Sequence, residues 1–516
     1  MSHQHSVLLR VGIIAAVGVF TLAACGSDDT PSAITDVNGT AATGASEPAG
    51  ADTANSSPDG SSPADSNPDG SSPDSTTAEG SGPTREPTTL AVPADYPTIT
   101  DAVDAAVPGD LILISPGVYN EAVNVETDEL TIRGLDRNEV ILDGEFELDN
   151  GIRVLGANGV AVENLTARNY TNNGFYWTGV DGYRGSYLTA VRNGDYGLYA
   201  YDSTHGLLEH SYASGSPDAG VYIGQCFMCD AVIDDVISEY NGLGYSGTDS
   251  GGNLYIINSR FNNNRAGINT NSGTYELCYP QRQLTVVGNL VYSNNQTDTP
   301  AIDDAILAMG NGILVEGGIG NVIDRNRVYD HAKTGIAVVP FPEFAPNDTE
   351  PTPDTWDQPC SETRNKPLAD PDDLEPIFWT PRDNTVIGNV VEGSGQADLA
   401  MSAVAPDLTI IDPTGLGNCF AGNTFTTSKP ADIEALLPCE GTGSGGDYLA
   451  SDLNVQTWLA DANAAPPSVD YATAPTPEPP VLDGMPDAAT APANPAVNMP
   501  PAVDLAAITV PEKPAS

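Results

Sequence analysis

The side chains best suited to chemistry are Asp202, His205 and Asp249, with Asp181 one turn earlier. Glycoside hydrolysis requires two carboxyls flanking the bond, and a histidine beside one of them can carry a proton. Four tyrosines, Tyr176, Tyr199, Tyr201 and Tyr222, fall in the same stretch. Their rings offer faces on which a sugar can stack. Each group also has a plainer reading. Aspartate is favoured in turns for conformational reasons, and neighbouring tyrosines pack on one another.

These residues share positions only through a repeat. Lines beginning at Gly151, Gly174, Gly197, Gly220, Gly244, Gly267, Gly312 and Gly335 are separated by 23, 23, 23, 24, 23, 45 and 23 residues. The next residue is Ile152, Phe175, Leu198, Val221, Tyr245, Ile268, Ile313 or Ile336. Each line opens with a short alternating β segment and lacks a helical period. A fixed period of this kind builds a stack of coils. Alternate strand residues face opposite ways, so the second residue of each line points inward and the third and fifth point outward. The third residues are Arg153, Tyr176, Tyr199, Tyr222, Ser246 and Asn269, and Tyr201 is a fifth. The tyrosines should therefore form an outward ladder at about 4.8 Å spacing. Asp202, Gln225 and Asp249 are sixth residues. The two aspartates stand two coils apart, about 10 Å along the axis. A second run, Asn258, Asn289, Asn326 and Asn389, predicts an internal amide ladder.

The glycine lines and turns resemble a right-handed parallel β-helix of the pectin-lyase-like class over residues 89–447. That resemblance implies an all-β solenoid. The stretch PADYPTITDAVDAAVPGD resembles the N-terminal cap of pectinesterase-like β-helix proteins. Ile99, Val103, Ala106 and Val107 share one helical face there, with Thr98 or Thr100 as the cap. Lyases, hydrolases, esterases, epimerases, tailspikes and adhesins all use this fold, so activity must be argued from a site. The Gly-His-Gly and Arg-x-Lys elements of polygalacturonases are missing, as are the pectinesterase carboxylate motifs. Tyr329-Asp330-His331-Ala332 lacks the proline of the Asp-Pro-His motif of alginate epimerases. Two classes stay open: a glycan-binding or surface-structural module, and a polysaccharide-active lyase, epimerase or hydrolase.

Two coils are longer than the period, after Gly267 and after Gly335, and both insertions fall at one corner of the coil. One carries Cys278 and the other Cys360. The coils are about 10 Å apart, so a disulfide between the loops is within reach. A further extension, Thr297 to Asn311, lengthens the first of these coils; long loops on a rigid scaffold often carry function. Cys419 and Cys439 bracket the last coil and would staple it. Cys226-Phe-Met-Cys229 reads as a tight disulfide, a redox pair or half a metal site; no second CxxC completes a zinc site. No cofactor motif is present. The acidic loops would suit calcium, yet none has a recognisable ligand series.

Arg10 precedes an apolar run from Val11 to Leu22, which ends Leu22-Ala23-Ala24-Cys25-Gly26. This resembles a bacterial lipobox, which implies a signal peptide over 1–25 and lipidation of Cys25. The expected location is the membrane or cell surface, reached by export. Residues 26–88 are rich in Ser, Pro, Asp and Gly and predict a disordered tether. Residues 448–516 form an Ala/Pro-rich tail, extended or disordered. The formal charge of −51 argues against nucleic acid as a partner and leaves a cell-envelope glycan as the expected one. Acidic polysaccharides would be repelled unless cations bridged them.

Overall fold

The computed structural model describes residues 85–360, 374–402, 415–441, 443, 453, 455–465, 467–493, 500 and 502–514. The leader, Cys25 and residues 26–84 of the tether lie outside the described residues.

Among the described residues three parallel sheets of 11, 12 and 10 strands run the length of the molecule. The counts nearly match because each coil gives one strand to each sheet. Sheet I takes the strands of the glycine lines, from Val123–Val125 to Ser428–Lys429. Sheet II takes the second strand of each coil, from Thr89–Val92 to Cys419–Ala421, and sheet III the third, from Gly117–Tyr119 to Val390–Glu392. The inward column of sheet I is in direct register: Ile152 beside Phe175, then Leu198, Val221, Tyr245, Ile268, Ile313 and Ile336. Each is 1% exposed or less. Burying side chains of this size contributes about 1.5–3 kcal/mol apiece as an upper bound.

The open N-terminal end is closed by the helix Ile99–Asp104, which buries Ile99, Ala102 and Val103. Thr98 is the N-cap, its hydroxyl accepting from the Asp101 N–H at 3.0 Å. The carboxylate of Glu121 takes the Ile99 and Thr100 N–H groups at 3.0 and 2.9 Å. Two orphan donors of the first turn are thereby satisfied.

Buried asparagine ladders hold the corners. Between sheets II and III, each amide oxygen accepts the backbone N–H of the ladder residue one coil earlier. Ser259 N–H donates to Asn289, Asn289 to Asn326, Asn326 to Asn389 and Asn389 to Asn423, all at 2.8–2.9 Å. Glu434 ends the series by accepting from Asn423 at 2.8 Å. Asn258 is a correction to the expected run. It is exposed, with φ 49°, and its side chain donates to Asp234. In that coil the ladder position is Ser259, whose Oγ accepts from the Val236 N–H at 3.0 Å. Parallel ladders, not evident from the spacing, run through Asn241, Asn264 and Asn294 at the corner from III to I, and through Asn321, Asn384 and Asn418 at the corner from I to II. His331 continues the former, its Nε2 3.2 Å from the Asn294 amide. Burial pushes His331 down to about 3, so the imidazole is neutral.

The proline-rich C-terminal segment is extended and bound along sheets II and III. After the helix Val455–Ala464, guanidinium and amide donors grip its carbonyls. Arg192 donates to Ala474, Asn138 to Leu482, Arg133 to Ala491 and Pro492, Arg325 to Ile508 and Arg327 to Pro511. Ile508 plugs an apolar strip of Leu207, Val232, Ile257 and Val287 on sheet II. A proline-rich chain lacks the N–H donors to pair as a strand, so its carbonyls are held instead by arginine and asparagine side chains.

Candidate functional site on the outer face of sheet I

The tail lies on sheets II and III, whereas sheet I carries the tyrosines and is roofed by the two insertions. The roof interlocks through Glu343. Its carboxylate accepts from the Thr274 N–H at 3.0 Å, from the Thr274 hydroxyl and from Trp379 Nε1 at 2.8 Å. The Tyr279 hydroxyl donates to Asp348 at 2.6 Å, and Cys278 is bonded to Cys360. Cys226 is bonded to Cys229 and Cys419 to Cys439. The helix Asp303–Ala308, in the Thr297–Asn311 extension, packs on the same sheet, and Arg265 holds the segment before it by donating to Thr297 and Thr299 carbonyls.

Tyr176, Tyr196, Tyr199 and Tyr201 are half-buried at the edge of this roof, while Tyr222 is 1% exposed beneath it. Tyr199 stacks on Tyr176 at 4.6 Å and on Tyr196 at 4.2 Å. The two near-parallel partners lie on its opposite faces. Tyr222 meets Tyr199 edge-on at 5.1 Å and Tyr196 at 4.9 Å. The ladder is therefore present, but it is partly closed on itself. Tyr199 has no free face, and Ser246 and Asn269, which continue the column, are buried at 6% and 3% exposure. Tyr201 donates to Gln225 Oε1 at 2.7 Å, and the same oxygen accepts from the Leu277 N–H at 2.8 Å.

At the covered end of the stack lie carboxyls that sequence reasoning missed. The Tyr222 hydroxyl donates to Glu276. Burial, only partly offset by that bond, pushes Glu276 up to about 8. Burial, then repulsion from Asp195, raises Asp218 well above the usual carboxylate range, although the Tyr196 hydroxyl bonds to it. Glu316 is likewise raised to about 8, first by burial and then by Asp304. The phenols of Tyr196, Tyr199 and Tyr222 are raised by burial too. At neutral pH the site is therefore a cluster of protonated acids and phenols. The signals for it were faint: Glu276 sits inside the first insertion beside Cys278, and Tyr196 and Asp218 just precede glycine-line starts.

The acid–base trio does not converge. Asp202, Gln225 and Asp249 continue a column of left-handed residues with Gly156 and Gly179, at φ 54°, 51°, 45°, 61° and 65°. Each turns the chain from sheet I into sheet II, and this is the position where Asp, Asn and Gly are tolerated. Asp249 is fully buried and its Oδ1 accepts from the Gly273 N–H at 3.2 Å. Burial, then Glu276, raises it well above the usual range. His205 instead sits on sheet II, with Nδ1 on Asp181 and Nε2 3.7 Å from Asp230. Among the described residues no group of three or more His, Cys, Asp or Glu side chains is placed to hold a metal ion, and no helix is long and apolar enough to cross a membrane.

No curated protein compared with the sequence matches it. Among solved structures, the A-module of a mannuronan C-5 epimerase from Azotobacter vinelandii is 15% identical, with 64% of this chain and 91% of that one covered and a TM-score of 0.38. An alginate lyase from Paenibacillus sp. is 13% identical, covering 67% and 96%, with a TM-score of 0.32. A pectin methylesterase from Erwinia chrysanthemi is 14% identical, covering 63% and 92%, also at 0.32. Residues 150–340 match the family model described as a right-handed β-helix region, and with its three parallel sheets and repeating coils the chain is a right-handed parallel β-helix.

Proposed function

We propose that this is an exported protein, anchored through Cys25, that binds a polysaccharide of the cell envelope along the outer face of sheet I. The observation that carries the reading is the half-exposed stack of Tyr176, Tyr199 and Tyr196, which leads to carboxyls kept protonated by burial. Aromatic edges and hydroxyls beside neutral acids suit a ligand with an apolar ring face and many hydroxyls. Three disulfides agree with an oxidising compartment. A glycan array with the full chain tests the reading. Tyr176→Ala should weaken binding of the best ligand about tenfold, the scale of losing one stacking partner. Unchanged binding, or no ligand at all, overturns it.

A second reading, polysaccharide cleavage or epimerisation, is favoured by Glu276 alone. A carboxyl raised to about 8 is protonated at neutral pH and able to act as general acid. Mass analysis of the best ligand after incubation separates the two. Product formation abolished in Glu276→Gln supports catalysis, and an unaltered ligand supports binding only.

A further inference from the structure

The sheet I site has an imbalance between acceptors and donors. Glu276 Oε2, Asp249 Oδ2 and Asn269 Oδ1 are enclosed and have no hydrogen-bond donor. Buried acceptors of this kind ordinarily find partners. Around them Asp218, Asp249, Glu276 and Glu316 are close enough for like-charge repulsion from neighbouring acids. Two cations, Arg282 and Lys333, act on the cluster only through their charge, each pulling one carboxyl down by less than burial raises it, and their own hydrogen bonds go to other groups. Arg282 donates to the Cys278 and Pro280 carbonyls at 2.8 and 2.7 Å and lies over the Phe227 ring. Lys333 donates to Leu307 at 3.3 Å and faces Trp458. A ligand that completes this site must bring donors, and one that also brings positive charge lets the buried carboxyls release the protons that burial and mutual repulsion hold on them. An ammonium group is donor-only, with three N–H bonds to give.

Resting on the reading that this face binds a glycan, we propose that the glycan carries free amino groups: its units are hexosamines without the N-acetyl group, held by their ammonium at Glu276 and Asp218 while the rings lie along the tyrosine stack. A uronate polymer has the opposite charge and would meet only carboxyls. An N-acetylated polymer has the same ring but replaces the cation with a neutral amide.

Calorimetry with the full chain, at pH 6 and about 0.3 M salt, compares three hexasaccharides: glucosamine, N-acetylglucosamine and a uronate. That salt shortens the screening length to roughly 5–6 Å, which suppresses attraction of any polycation to a chain of net charge −51. The glucosamine hexamer should bind about tenfold more tightly than its acetylated form, and the uronate not at all. Penta-lysine, a cation without sugar rings, should not compete. Binding of the ammonium displaces the carboxyl proton to solvent, a step glutamine cannot make, so in Glu276→Gln the preference should fall to about parity; Asp218→Asn serves the same purpose should the first variant fail to fold. Equal or tighter binding of the acetylated or uronate hexamer overturns the amino-sugar assignment and leaves the glycan reading standing. So does competition by penta-lysine, or a preference that survives both substitutions. If none of the hexamers binds and the array is also silent, the glycan reading itself falls.

Discussion

The corner ladders and the sheet I site are both buried and both polar, yet they are built on opposite terms. In the ladders every amide gives and receives. Asn326 accepts from the Asn289 N–H and Nδ2–H and donates to the Val286 carbonyl and the Asn389 amide. The pattern then repeats one coil further on, at Asn389. At the site Glu276 comes from an insertion outside the period, three acceptors lack donors, and burial holds the carboxyls protonated. Satisfied polar groups that recur with the coil are scaffold. Unsatisfied acceptors gathered beneath an insertion, as Glu276 Oε2, Asp249 Oδ2 and Asn269 Oδ1 are, point to a place where something else is to be bound.

The strongest challenge to this contrast is Asn326→Ala. It strands the Asn289 amide and the Val286 carbonyl inside the stack, and each orphan costs about 1–3 kcal/mol. A loss of about 3 kcal/mol in unfolding free energy is expected from denaturant titration. A loss below about 1 kcal/mol would mean that the ladder relaxes around a gap and that pairing does not set its importance.

The repeat was legible because a period of 23 residues fixes which residues share a column, and Ile152 through Ile336 stack in register accordingly. The insertions and the cysteines they carry were legible for the same reason. What the spacing could not show is contact across long sequence distances. A proline-rich tail has no alternation to betray that Arg133, Arg325 and Arg327 grip its carbonyls. The aspartates could be read two ways because a left-handed corner and a catalytic carboxyl call for the same residue type; Asp202 and Asp249 share their column with Gly156 and Gly179. Glu276 escaped because its neighbours Tyr222 and Gln225 are 54 and 52 residues away in sequence, joined only by the folded loop.

The site side of the contrast is tested by pH. Glu276 has a folded value of about 8 against an ordinary 4.5. Between those limits the folded chain holds a proton that the unfolded chain has released. Its contribution is therefore fully present below pH 4.5 and is lost as pH rises through 8. Glutamine mimics the protonated acid at every pH. Glu276→Gln should match the wild type near pH 5 and exceed it by about 2 kcal/mol near pH 8.5, after discounting the full linkage because the residue is partly exposed. Thermal melts across that range provide the check. Parallel curves for the two proteins would show that Glu276 is ionised in the fold and that the acids are not held neutral.

The smallest effect separates pattern from pairing. Ile257-Asn258 is spelled like the pairs ending in Asn289, Asn326 and Asn389, and by spacing alone all four belong to one ladder. In the fold Asn258 is exposed, in the left-handed region at φ 49°, and its side chain donates to the half-buried Asp234. Glycine accepts that backbone without strain, and an exposed side-chain bond contributes little. Asn258→Gly should therefore change stability by less than about 0.5 kcal/mol. Its neighbour Ser259 is 2% exposed and links Val236 to Asn289. Ser259→Ala leaves the Val236 N–H without an acceptor and should cost about 1–2 kcal/mol. Were the two substitutions to reverse that order, the ladder would run through Asn258 after all, and burial with pairing would not be what distinguishes scaffold from site.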